Sequence, residues 1–136
     1  MSFTSTTSRT NKTFKDIDLS FTKNPVTHDI GVKTNENAVK ESVKNLILRN
    51  PFETPFHPEI SCQAYNALFE QMSFLSEEIL RNSIIQVLNK FEPRIQLNAV
   101  TITAYPEQHR YTATIDFTII GNTKTTTVNI SLDKIR

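Results

Sequence analysis

Glycine occurs only at Gly31 and Gly121, too sparsely for a phosphate-cradling loop, which needs closely spaced glycines at a helix N-terminus. The single cysteine, Cys62, excludes an internal disulfide and any CxxC metal or redox motif, and suits folding in a reducing cytoplasm. No apolar run approaches the roughly 20 residues that span a bilayer. The start, MSFTSTTSRTNKTF, lacks the apolar core of a signal peptide, so a cytoplasmic product is expected. Net charge is +1 with both signs interspersed, which makes no case for nucleic acid or a membrane surface. His28, His57 and His109 fall into no HExxH or other ligand spacing, and basic residues do not interleave with aromatics as a base-stacking surface would require.

What is present fits one domain of 136 residues with no internal repeat. Residues 1–12 are rich in Ser and Thr and read as a flexible arm, leaving 13–136 as the folded unit. From Ile17 apolar residues alternate with polar ones through Leu19 and Phe21, predicting a short half-buried strand that Asn24-Pro25 breaks. Ile30 and Val32 suggest a second short strand around Gly31. Thr34 or Asn35 can cap a helix whose stripe is Val39, Val43, Leu46 and Ile47, with Lys40, Glu41 and Lys44 toward solvent; Asn50-Pro51 ends it.

The segment NPFETPFHPEIS holds Pro51, Pro55 and Pro58 and cannot be regular helix; Phe52 and Phe56 are expected to pin it to the core. A short helix through Tyr65, Leu68, Phe69 and Met72 follows. A longer helix is next, capped by Ser73 or Ser76, with Leu80, Ile84, Val87, Leu88 and Phe91 as its stripe and Pro93 as its stop. Three strands close the chain: Leu97–Tyr105, whose apolar phase changes between Ala99 and Val100 and so suggests a bulge; Tyr111–Ile119; and Val128–Leu132. Gly121-Asn122 reads as a two-residue turn of the II′ kind. The predicted fold is α+β: one or two short N-terminal strands, three helices, then an antiparallel three-strand meander.

A search for chemistry returns nothing. Glu53, Glu59, Glu70, Glu77 and Glu78 could in principle supply the carboxyl pair of a glycosidase, but Glu77 and Glu78 sit where acidic residues simply stabilise a helix N-terminus. The feature that stands out is Phe91-Glu92-Pro93-Arg94-Ile95, a proline elbow flanked by opposite charges. An arginine there can grip a carboxylate through two parallel hydrogen bonds, either to brace the joint or to orient a partner.

With that elbow, an ordered set of motifs appears: DIDLSF near the start, RNPFETPFHPEIS after a helix, LFE soon after, and FEPRI before a hairpin. Together they resemble the lysozyme-like baseplate wedge family of contractile-tailed phages, a relative of which sits in the type VI secretion baseplate. The resemblance covers about Asp16 to Leu132; His57 stands where relatives often carry asparagine. It implies a structural, non-enzymatic protein without metal, cofactor or small-molecule ligand. It also implies that Glu92, Pro93 and Arg94 contact other wedge proteins. A sheet edge would accept strands from the tail sheath subunit and start sheath growth around the tail tube. Candidate edges are Asp18, Leu19 and Ser20 near the start and Thr125, Thr126 and Thr127 near the end. Other wedge proteins, the sheath subunit and the tail tube are the implied partners, and the implied location is the virion tail baseplate, assembled in the host bacterial cytoplasm. A type VI secretion baseplate subunit and a peptidoglycan hydrolase are the alternatives.

Overall fold

A computed structural model describes residues 13–50, 53, 55–60, 62 and 71–133, without the side chains of 32 and 33. The elements are β1 (Lys15–Ile17), β2 (Val32–Thr34), α1 (Asn35–Leu48), α2 (Phe74–Phe91), β3 (Ile95–Tyr105), β4 (Arg110–Ile119) and β5 (Thr125–Asp133). β1 and β2 form a two-stranded antiparallel hairpin, and β3-β4-β5 a separate antiparallel meander. The architecture is α+β, but the expectation of three helices is corrected: the described residues hold two. The helix expected through Tyr65, Leu68 and Phe69 falls outside the described residues. Met72, its last stripe position, lies in irregular chain before α2.

The core lies between the helices and one face of the meander. On β4, Tyr111, Ala113, Ile115, Phe117 and Ile119 are buried while the residues between them are half-buried, the period of two that a pleated strand imposes. Against this row pack Val39, Val43 and Ile47 of α1 and Leu80, Ile84, Val87 and Leu88 of α2, with Cys62 buried in the same cluster. Ser73 caps α2, its hydroxyl accepting from the Ser76 amide. Thr34 stands at the N-cap of α1 without a side-chain cap; instead the Asn35 amide donates to the Phe14 carbonyl at 2.7 Å.

Several local expectations are corrected. The first strand stops at Ile17. Asp18–Ser20 turn instead, with the Ser20 amide donating to the Asp18 carboxylate and the Phe21 amide to the Asp18 carbonyl. The apolar alternation survives only as sequence, because Ile17, Leu19 and Phe21 are all exposed. Phe56 is exposed rather than pinned to the core, and Phe52 lies outside the described residues. The bulge falls one residue earlier than expected: Leu97 pairs with Phe117 and Ala99 with Asp116, so Asn98 is the extra residue, and its side-chain amide donates to the Thr118 hydroxyl. The β4–β5 turn is not a two-residue II′ link. Asn122 donates to the Ile119 carbonyl across Ile120 and Gly121, and Gly121 takes φ +93° at the third turn position, where a type II turn requires glycine.

Candidate functional site

The elbow between α2 and β3 is where three segments of the chain meet. Glu92 follows the last residue of α2, its amide still donating to the Leu88 carbonyl at 3.0 Å. Pro93 cannot continue the helix, so the chain turns and Arg94, two residues after Glu92, lies in that turn just before β3. That spacing lets the guanidinium fold back. Nε donates to Glu92 Oε1 at 2.6 Å and Nη2 to Glu92 Oε2 at 3.0 Å, a bidentate pair. Nη1 reaches Asp16 Oδ2 of β1 at 3.1 Å, and the guanidinium lies over the Phe14 ring at 5.6 Å. The Ser42 hydroxyl of α1 donates to Glu92 Oε2.

Glu92 is only 3% exposed. Burial pushes its carboxyl up, but hydrogen bonds from Arg94 and Ser42 and the Arg94 charge outweigh burial and hold it below the ordinary carboxylate value. The hydrogen bond to Glu92 raises Arg94 above its ordinary value against partial burial, and Asp16 adds in the same direction. The elbow is therefore an ionised, internally satisfied brace joining β1, α1 and the α2–β3 junction. Glu92 and Arg94 belong to it, while Pro93 supplies the geometry. Sequence reasoning missed Asp16 and Ser42 as members. They lie 78 and 50 positions from their partners, and only the fold brings them in.

The two candidate edges differ. Asp18, Leu19 and Ser20 lie in a turn rather than on a strand. Thr125, Thr126 and Thr127 open β5 and pair with Thr118, Phe117 and Asp116 of β4. Thr126 points inward and is buried, whereas Thr125 and Thr127 are exposed, and the Thr127 hydroxyl donates to Asp116. Among the described residues β3 and β5 pair with β4 alone, which makes them the two outer strands.

The carboxylates considered for hydrolysis are dispersed in local roles. Glu53 accepts from the Asn50 amide and side chain, Glu59 meets His57, Glu77 is in the first turn of α2, and Glu78 pairs with Arg81; Glu70 lies outside the described residues. The described residues bring together no group of three His, Cys, Asp or Glu able to hold a metal. They include no helix long and apolar enough to cross a membrane.

Comparison with known proteins gives a consistent result. The family model described as baseplate wedge protein gp25 matches residues 33–128, a narrower span than the motifs suggest, because it leaves out DIDLSF. Baseplate wedge protein gp25 of Enterobacteria phage T4 is 28% identical over 112 residues, covering 82% of this chain and 84% of that protein. A crystal structure of a candidate tail lysozyme from Geobacter sulfurreducens superposes with TM-score 0.68 at 18% identity, over 74% of this chain and 92% of the other. A chain of the anti-feeding prophage baseplate, solved by cryo-EM, gives TM-score 0.64 at 14% identity over 91% of this chain and 88% of the other. At such identities both structures support the fold alone. The match of the family model over most of the chain decides the assignment: this protein belongs to the baseplate wedge protein gp25 family, structural proteins of the contractile phage tail.

Proposed function

We propose that this chain is a non-enzymatic assembly subunit of a contractile tail baseplate, one that docks to other wedge proteins and offers the free edge of β5 to a strand of the sheath subunit. The carrying observation is the character of that edge. Exposed edge strands are normally blunted by proline, lysine, a bulge or brevity. β5 has none of these: it runs nine residues, TTTVNISLD, in unbroken register with β4 and has no charged residue before Asp133. The opposite edge, β3, carries the Asn98 bulge, which bends a strand and interrupts its ladder. An unbulged edge, unpaired among the described residues, beside a bulged one is what a strand acceptor needs, since added main-chain bonds supply affinity and alternate side chains select the partner.

The elbow suits wedge docking in a supporting role. Through Ser42, Glu92 and Arg94 it holds α1 and the start of β3 in one arrangement, so a partner meets a preformed surface there. A peptidoglycan hydrolase would need a protonated buried carboxyl facing a second across a cleft. Among the described residues the buried carboxyl is Glu92, and Arg94 holds it ionised. Lysine at two of the exposed β5 positions, Thr127→Lys with Asn129→Lys, tests the edge directly. The double variant should fold, keep co-eluting with wedge proteins and lose co-elution with the sheath subunit. Undiminished sheath binding would remove β5 from the account.

A further inference from the structure

We propose that the N-terminal hairpin, residues 15–34, is a detachable arm, and that Arg94 is the positioning residue that latches it to the body through Asp16. Among the described side chains, burial gives the hairpin little hold on the body. Its apolar side chains Ile17, Leu19, Phe21, Val26 and Ile30 are all exposed, Val26 at 84%. A two-stranded hairpin is marginal in water by itself. This one also carries Phe21 and His28 at φ +51° and +57°, conformations that L side chains rarely adopt. Beneath it an open groove of about 430 Å³ lies between Ile17 and Leu19 on one side and Leu46 and Arg49 of α1 on the other. The attachments seen at its base include the Phe14 carbonyl on the Asn35 amide, the Phe14 ring under the guanidinium, and the Asp16–Arg94 pair.

The two carboxylates on Arg94 sit in different surroundings. The Glu92 side chain is 2% exposed and that of Asp16 is 40% exposed. Glu92 therefore fixes the guanidinium from inside, and the Asp16 leg, in contact with water, is the one that opens. An open arm presents both its apolar side chains and the groove to an arriving wedge protein, a step that rests on the docking reading above.

Amide hydrogen exchange on the isolated full chain tests the latch. The reporters are the Asp18 amide, which donates to the Gly31 carbonyl, and the Asn24 amide, which donates to Asp29. In Asp16→Asn both should exchange about threefold faster, in keeping with a half-exposed ion pair, while the Ile115 and Phe117 amides keep their rates. Raising salt from about 0.05 M to about 0.5 M should produce the same acceleration in the wild type and little in Asp16→Asn, because the screened interaction is already gone. Unchanged hairpin exchange in Asp16→Asn, or equal acceleration of hairpin and β4 amides, overturns the latch. Because the exchange is read on the chain alone, a wild type that ignores wedge proteins counts against the docking reading and leaves the latch to its own result.

Discussion

Phe117 and Phe21 are the same side chain in opposite circumstances. Phe117 is fully buried on the core face of β4, and Phe21 is 64% exposed in the N-terminal hairpin. The meander and its helices are held by burial, which is roughly proportional to area and is not screened by salt as an ion pair is. Among the described residues the hairpin's apolar side chains are exposed, and directed polar contacts beside Phe14 tie it to the body. The proposed function and latch would use the first region as a rigid strand acceptor and the second as an adjustable docking arm.

The comparison can be broken at its strong end first. Phe117→Ala should lose about 3–5 kcal/mol, the cost of emptying a large aromatic site in a packed core, whereas Phe21→Ala should stay within about 0.5 kcal/mol. Urea denaturation of both variants checks this, and similar losses would erase the contrast. Next comes the brace. Arg94→Ala strands the Glu92 carboxylate in the interior and should cost about 3 kcal/mol, reduced somewhat by the solvent access that Arg94 retains. A smaller effect, about 1 kcal/mol, is expected for Gly121→Ala, since a Cβ there meets no neighbour and the penalty is the positive φ alone.

Acid sharpens the same contrast. Folding depresses the Glu92 carboxyl below its ordinary value of 4.5, so its stabilisation is complete above that pH and is lost as pH falls through the lower folded value. Melting temperature should therefore drop below about pH 4.5, and Glu92→Gln should flatten that part of the profile while lowering stability at neutral pH. A profile unchanged by the substitution would remove Glu92 from the acid response.

Legibility in the sequence followed the same division. The stripes of α1 and α2 and the alternation of β4 were readable because burial imposes periods of 3.6 and 2 on side chains. The capping serine was readable because Ser73 precedes a periodic stretch. In the hairpin the period of two over Ile17, Leu19 and Phe21 had no burial behind it, so it predicted a strand where Asp18 directs a turn. Phe56 misled for the same reason, an aromatic in a proline-rich loop that nothing covers. Gly121 marked a turn correctly, but one residue shifts a turn type, and the difference between II′ and II depends on strand register. The elbow was visible as Glu92-Pro93-Arg94, yet its partners Asp16 and Ser42 were not, since no local pattern encodes a contact across 78 or 50 positions.

The central claim is that β5 is the accepting edge, and amide exchange of the chain with and without the sheath subunit tests it most directly. The account predicts new protection at β5 amides between Thr125 and Asp133, with β3 amides unchanged. Protection confined to β3, or absent from the meander while a complex forms, would contradict it.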